Sequence, residues 1–292
     1  MAAILVACTA IFLLSAMDAA MKSLVLGVGL YNALFWRSVL ASAAFGAAWT
    51  ARRPSLPSRG VLRIHGLRTL MIALVLICFF WGLARLPLAE AIALSFIAPL
   101  IALYLAAALL GETVRRSAVW ASLACLVGVG IIVAGQFGKA DYTPEAVRGT
   151  AAVLASAVFY AYNLVLARRQ AQVARPLEIA FFQNLMLVAI FGLAAPWLVR
   201  ALPAEHWLLI AGVTALSMTG QFLFSWAYAR AEAQYLIPME YTAFVWAILL
   251  GWLVFGETVG WTTVAGAGLI IAGCLYAARS NRRNAAPVGT AA

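Results

Sequence analysis

The chain has 292 residues, of which 65% are apolar and 10% are charged, and its net charge is +10. A soluble globular domain is about half apolar and about a quarter charged, so this composition excludes a soluble protein and indicates an integral membrane protein. The basic residues lie between apolar segments rather than in one basic patch, which indicates membrane topology and excludes nucleic acid as a partner.

Ten apolar segments of about 20 residues follow one another, each close to the length that a helix needs to cross a hydrocarbon core of about 30 Å. Apolar and polar residues do not alternate at period two, as they do in barrel strands. We therefore expect an all-α integral membrane protein with ten transmembrane helices. The predicted spans are approximately 2-20, 32-50, 67-84, 90-110, 117-135, 149-167, 178-199, 207-227, 234-255 and 261-278.

The positions of the 20 Lys and Arg residues predict the topology. If the N-terminus is cytoplasmic, fourteen of them lie on the cytoplasmic side, five lie on the other side, and Arg37 lies within the second span. Because basic residues accumulate on the cytoplasmic side of membrane proteins, we expect both termini in the cytoplasm.

An internal repeat is the strongest single feature of the sequence. Gly111-Glu112-Thr113-Val114 recurs 145 residues later as Gly256-Glu257-Thr258-Val259, and the same offset relates Trp81 to Trp226 and Asp18 to Asn163. Agreement at one offset over this length indicates duplicated structural units. The predicted units are residues 1-140 and 141-283, each with five helices, followed by a short cytoplasmic tail at 284-292.

The odd number of helices in each unit determines their relative orientation. After five spans the chain is on the opposite side of the membrane, so the second unit must be inverted relative to the first. Inverted repeats allow a site near the midplane to open to the two sides in turn. The repeat thus favours a transporter over a receptor or an enzyme.

Three stretches carry a resemblance to a known family. The first runs from Phe96-Ile97-Ala98-Pro99-Leu100 to Leu110-Gly111-Glu112, and the second runs from Pro238-Met239-Glu240-Tyr241-Thr242 to Phe255-Gly256-Glu257. The third is Asp18-x-x-x-Lys22, which precedes Arg37. With the ten predicted spans, they resemble the EamA family of the drug/metabolite transporter superfamily over nearly the whole chain. The resemblance implies a ten-helix bundle in the bacterial inner (plasma) membrane that exports amino acids or similar small metabolites. One departure is Phe244, which stands where the first half has Pro99 and leaves Pro238 as the helix breaker of the second half.

Ionisable residues in or near the spans are candidates for the substrate pathway, because charge in hydrocarbon is costly and usually faces a cavity. Asp18 and Lys22 are four residues apart, with Ser15 one turn away, so the two charges share a helix face and can pair. A structural salt bridge at the membrane interface explains them equally well. Arg37 is expected either to hold a substrate carboxylate or to tie the second span to Asp18 or to backbone carbonyls.

Polar stripes run along the eighth and sixth spans. The eighth carries Thr214, Ser217, Gln221, Phe224, Ser225 and Tyr228, and the sixth carries Ser156, Tyr160 and Asn163. Such a stripe either lines a water-filled path or forms hydrogen bonds with a neighbouring helix. The repeat offset relates Asn163 to Asp18, so we expect the first and sixth spans to face each other.

Carboxylates and aromatic residues complete the candidates. Glu90 and Glu240 lie near predicted helix starts, where the helix dipole also stabilises a carboxylate, and Glu112 and Glu257 are expected to be capping or turn residues after helix-ending glycines. Aromatic residues are expected either to stack on a substrate or to pack in the core and membrane interface. The predicted pathway comprises Ser15, Asp18, Lys22, Trp81, Ser95, Tyr160, Asn163, Ser217, Gln221, Trp226, Tyr228, Glu240 and Tyr241.

The expected function is export of amino acids, aromatic ones among them, or of similar small metabolites by alternating access. A uniporter or channel-like protein for another small solute is the alternative. An intramembrane enzyme is disfavoured because His65 and His206 are predicted in or beside loops and no H-E-x-x-H motif occurs. No cofactor or metal is predicted; the expected partners are a small-molecule substrate and the lipid bilayer, and we expect a monomer.

Overall fold

The computed structural model describes residues 2–51, 56–110, 116–137, 144–228, 230, 236 and 239–283. All regular secondary structure in these ranges is helical, which confirms an all-α protein. In chain order the helices are α1 (Ala2–Val28), α2 (Leu30–Thr50), α3 (Arg59–Leu83), α4 (Leu88–Ser95), α5 (Ala98–Leu110), α6 (Arg116–Phe137), α7 (Pro144–Ala171), α8 (Pro176–Gly192), α9 (Ala195–Leu198), α10 (His206–Tyr228), α11 (Thr242–Phe255) and α12 (Trp261–Arg283).

Five helical stretches of the described chain are long and apolar enough to cross a membrane: Ile4–Val28, Arg59–Leu83, Leu88–Leu109, Pro144–Ala167 and His206–Ala227. Four apolar helices are shorter: Val119–Gly135, Pro176–Gly192, Thr242–Phe255 and Trp261–Tyr276. A helix needs about 20 apolar residues to span the hydrocarbon core. The five long stretches make the chain a multi-pass membrane protein.

The third helix is longer than its predicted span. It begins at Arg59 rather than near residue 67, and the Ser58 hydroxyl accepts a hydrogen bond from the Val61 amide at its start (3.4 Å), as N-cap residues do. The prediction that His65 lies in or beside a loop was therefore wrong. His65 and Arg68 both belong to α3, and His65 is fully buried.

The predicted fourth span is interrupted. Helix α4 ends at Ser95 and α5 begins at Ala98, with Pro99 in the first turn of α5, where a missing amide proton costs no hydrogen bond. The described part of the predicted ninth span also contains a turn, at Tyr241, before α11 begins. Pro238 lies outside the described residues. The rings of Phe96 and Tyr241 meet edge to face at 5.2 Å, so the two interruptions lie against each other.

Four helix pairs form most of the packing: α1 with α10, α3 with α7, α2 with α8, and α6 with α12. The backbones approach closely at the α6–α12 crossing, because a Cβ atom at Gly128 would lie 2.6 Å from the carbonyl oxygen of Gly266, and one at Gly266 would lie 2.5 Å from that of Gly128. Only glycine permits two helix backbones to approach this closely. The other three pairs surround the site described next.

Candidate functional site

A cavity lined by both polar and apolar side chains opens at the end of the bundle where α2 and α7 end and where α3 and α8 begin. Its wide part has a volume of about 1060 Å³. A narrow pocket of about 30 Å³ extends it toward Arg37. The two parts share the lining residues Phe45, Gln183, Asn184, Met218 and Gln221, so they adjoin each other.

Arg37 borders the narrow pocket. It comes from α2 and is 9% exposed. Its buried Nε atom has no hydrogen-bond partner in the described part of the chain. Asp18 on α1 is close enough to interact with it electrostatically. The sequence left open whether Arg37 ties helices together or faces a ligand, and here its guanidinium borders open space.

The polar stripe of α10 forms one wall of this pocket. Thr214, Ser217 and Gln221 all line it; the Thr214 hydroxyl donates to the Ile210 carbonyl (2.8 Å) and Gln221 Nε2 donates to Ser217 Oγ (3.3 Å). Predicted polar residues therefore meet at the cavity. Their part in transport stays a prediction.

The facing wall comes from α8 and was not predicted. Gln183 and Asn184 line both parts of the cavity, and Asn184 Nδ2 donates to the carbonyl of Ala180 in its own helix (2.9 Å). The signal in the sequence was two consecutive carboxamides inside an otherwise apolar segment. Such residues are costly in a membrane unless they face polar surroundings.

A chain of polar side chains borders the wide part of the cavity. Arg68 Nε donates to Asn163 Oδ1 (3.0 Å) and Arg68 Nη1 donates to Gln170 Oε1. Gln170 also bonds His65 Nδ1, and His65 Nε2 lies 3.2 Å from Glu178 Oε1. The chain joins α3, α7 and α8. Of its members, only Asn163 was predicted from the sequence.

Tyr160 and Glu240 lie near this chain. Tyr160 on α7 is 43% exposed and interacts electrostatically with both Arg68 and Glu240. Glu240 is half-buried, one residue before the turn at Tyr241. Predicted pathway residues from the sixth and ninth spans are thus neighbours.

A largely buried ion pair lies at the opposite end of the bundle. Lys22, near the end of α1 where α2 begins, pairs with Glu257 Oε1 and donates to the Leu86 carbonyl (2.6 Å). Glu257 Oε2 accepts from the Leu88 amide at the start of α4 (2.7 Å). Lys22 therefore pairs with Glu257 rather than with Asp18. Glu257 follows a helix-ending glycine, as expected, since Gly256 has φ 65°, but it bridges three segments instead of merely capping one.

Trp81 and Trp226 lie near the ends of α3 and α10. The guanidinium of the arginine four residues later lies over each ring. The distance from its Cζ atom to the ring centroid is 3.5 Å for Arg85 and 4.2 Å for Arg230. Such cation–π contacts position an aromatic side chain. The two tryptophans therefore make equivalent contacts, and neither lines the cavity described above.

The remaining predicted residues are dispersed. Ser15 is buried, the Ser95 hydroxyl donates to the Ile92 carbonyl (2.7 Å), and Glu90, in the first turn of α4, accepts from the Thr263 hydroxyl (3.1 Å). The side chain of Tyr228 and all of Glu112 lie outside the described residues.

Long apolar helices around a cavity with polar side chains in its lining are typical of a multi-pass membrane transport protein. The model of the EamA-like transporter family matches residues 1–134 and 147–279. The chain belongs to this family of the drug/metabolite transporters, and it is a transporter rather than an enzyme.

Similar proteins have transport names. The chain is 28% identical over 281 residues to the pseudopaline exporter of Pseudomonas aeruginosa, covering 96% of each protein. It is 29% identical over 265 residues to the riboflavin transporter of Rhizobium johnstonii, covering 86% of this chain and 82% of that protein. A solved crystal structure superposes with a TM-score of 0.63 at 25% identity, covering 98% and 99% of the two chains. The names of the two transporters indicate different small metabolites, pseudopaline and riboflavin.

Proposed function

We propose that the chain exports amino acids, aromatic ones among them, or similar small metabolites across the bacterial inner membrane by alternating access. The observation that carries the proposal is the cavity, which combines polar and apolar side chains and opens at one end of the bundle, while the Lys22–Glu257 ion pair joins helices at the other end. A path open at one end at a time is what a carrier needs and what a channel lacks.

The proposed architecture is ten transmembrane helices in two inverted repeats, residues 1-140 and 141-283. The family model matches two segments of similar length, which supports a duplication. The interruptions at Phe96 and Tyr241 are 145 positions apart, the offset of the sequence repeat. Discontinuous helices at corresponding positions of two halves are typical of inverted-repeat transporters.

The packing supports the same architecture. The repeat offset relates the third span (α3) to the eighth (α10) and the first span (α1) to the sixth (α7). The pairs α3–α7 and α10–α1 therefore correspond to each other, and both are among the most extensive contacts in the bundle. The Arg85–Trp81 and Arg230–Trp226 contacts are a second matched pair. A duplicated unit is expected to repeat its contacts in this way.

The proposed orientation follows from charge. The cavity lies at the end of the bundle that carries Arg59, Arg63 and Arg175, which is the more basic side of the sequence. By the positive-inside rule this side is cytoplasmic, so the cavity faces the cytoplasm. An exporter in this state is ready to receive its substrate.

The proposed substrate is small and partly aromatic. The wide part of the cavity combines the rings of Phe45, Trp49 and Phe222 with the amides of Gln183 and Gln221, a mixture suited to a ligand with a flat apolar body and polar ends. The relatives' names, an exporter of pseudopaline and a riboflavin transporter, are consistent with small metabolites as the substrate class.

Counterflow in proteoliposomes tests the proposal. Purified protein is reconstituted, vesicles are loaded with one unlabelled solute from a panel of amino acids and vitamins, and entry of the labelled solute is followed. We expect saturable entry that rises with loaded solute for at least one panel member. Flux strictly proportional to concentration, with no stimulation by loaded solute, would identify a channel-like protein and overturn the proposal.

A further inference from the structure

Arg37 is a buried cation with unused donors. A guanidinium has five N–H donors, and buried polar groups are nearly always hydrogen-bonded. In the described part of the chain the Arg37 guanidinium donates no hydrogen bond, and its Nε atom is buried without a partner. From this we infer that Arg37 binds a carboxylate group of the transported solute in the narrow pocket, and that the substrates are small organic carboxylates. The inference rests on the proposed transport function.

Asp18 does not accept a hydrogen bond from Arg37 in place of the proposed substrate carboxylate. It interacts with Arg37 electrostatically, but no hydrogen bond or ion pair within 4 Å joins the two side chains. A structural arginine in a membrane pairs directly with a carboxylate or with backbone carbonyls. The nearby negative charge offsets the cost of burying the cation and leaves the donors of Arg37 free.

Arg37 supplies the charged donors of the pocket, since the other residues that line it are uncharged. The Thr214 hydroxyl and the Asn184 amide each donate to a carbonyl of their own helix, and the Gln221 amide donates to Ser217. An entering oxyanion therefore finds charged donors on Arg37, which form hydrogen bonds roughly twice as strong as neutral ones.

The narrow pocket is large enough for a carboxylate group. Its volume of about 30 Å³ exceeds the roughly 10–15 Å³ that one water molecule needs, and a carboxylate has three heavy atoms. The rest of the substrate would extend into the wide part of the cavity, which adjoins the pocket.

The charge of the wide part is suited to the same ligand. Its lining includes Arg68 and Arg175 against the single carboxylate of Glu178, and Glu178 lies beside His65. An excess of positive charge in a cleft concentrates anions. A carboxylate substrate is thus attracted at the mouth and bound at Arg37.

The test uses matched solutes in the counterflow assay: L-phenylalanine with L-phenylalaninamide, succinate with succinamide, and riboflavin, which has no carboxylate. We expect the wild-type protein to prefer at least one acid over its amide, and the variant Arg37→Gln to lower the apparent affinity for that acid at least about tenfold. Arg63→Gln, which changes an exposed arginine of α3, is the matched control and should keep the wild-type preference.

A double variant separates ligand binding from a structural ion pair. Asp18→Asn combined with Arg37→Gln removes both charges, so a purely structural pair would leave transport of the acid near the wild-type level. We expect the double variant to remain as impaired as Arg37→Gln, and Arg37→Lys to retain part of the preference. Recovery in the double variant would overturn the inference.

The remaining outcomes distinguish this inference from the proposed function. If the wild-type protein transported riboflavin, or an amide, as readily as it transported every acid, the carboxylate site would be overturned. The transport function would then remain intact. Loss of the preference in Arg63→Gln as well as in Arg37→Gln would also overturn it. Absence of stimulated flux for every solute in the panel would overturn both.

Discussion

The two ends of the bundle differ in how a buried or partly buried basic side chain is bonded. At the closed end, Lys22 is neutralised by Glu257 in a pair whose side chains are 6% and 16% exposed. At the open end, Arg68 is held by the uncharged amides of Asn163 and Gln170, which orient its guanidinium but leave its charge. The first arrangement favours closure, and the second presents a positive charge to the cavity.

The cavity amides are expected to matter for transport. We predict that Asn163→Ala, which removes an acceptor of Arg68, and Gln221→Ala, which removes a carboxamide from the cavity wall, each lower the counterflow rate several-fold without lowering expression. Thr9→Ala is the control, because its hydroxyl only donates to Leu5 in the same helix. Wild-type transport by both cavity variants would contradict the proposed path.

The closed end is expected to depend on its ion pair. Removing one partner of a buried pair costs about 3–5 kcal/mol because the other charge is left uncompensated, so Glu257→Ala should lower the thermal unfolding temperature markedly in detergent. The double variant Lys22→Met, Glu257→Ala removes both charges and should recover part of the loss. An unfolding temperature unchanged by Glu257→Ala would contradict a role for this pair in closure.

At the scale of helices, the crossing of α6 with α12 is a point of close backbone approach. We predict that Gly128→Ala destabilises the protein by about 1–3 kcal/mol, because the new methyl group would overlap the Gly266 carbonyl. Gly130→Ala in the same helix is the matched control, since a Cβ atom there meets nothing within 4 Å. Thermal unfolding in detergent measures both, and equal effects would contradict close packing at Gly128.

The helices were easier to predict than the contacts between them. Apolar length predicted the positions of most helices, but it missed the first turns of α3, because Arg63 and Arg68 make that segment polar. Arg63 is exposed, whereas Arg68 is bonded by Asn163 and Gln170 inside the bundle. The predicted span 90-110 is divided between α4 and α5 just before Pro99, a break that apolar length does not predict.

The sequence predicted the parts of the site that are formed by residues of a single helix. The stripe of Ser217 and Gln221 follows helical spacing and does line the cavity. The partners of Arg68 and Lys22 could not be predicted, because Asn163 and Glu257 are 95 and 235 residues away in the chain. Such contacts depend on how whole helices pack, and spacing along one helix carries no information about them.

At the scale of the whole molecule, the orientation in the membrane assigns a direction to the cavity. We predict that a reporter enzyme active only in the cytoplasm is active when fused to the C-terminus, and that a reporter active only in the periplasm is inactive there, because fourteen of the 20 basic residues lie on that side. A periplasmic signal would mean that the cavity opens to the periplasm. It would contradict the proposal that the cavity receives its substrate from the cytoplasm.

Alternating access requires the two ends of the path to open in turn. Two cysteine variants report on them in a background without the native cysteines: Gln221→Cys on the cavity wall and Leu86→Cys, which is 2% exposed beside Lys22. Each is labelled with a membrane-impermeant maleimide from its own side, with and without a solute that shows counterflow. The most direct test of the transport mechanism is whether the solute changes the two labelling rates in opposite directions. We predict that it slows labelling at position 221 and speeds labelling at position 86; simultaneous rises at both positions, or no change at either, would contradict alternating access.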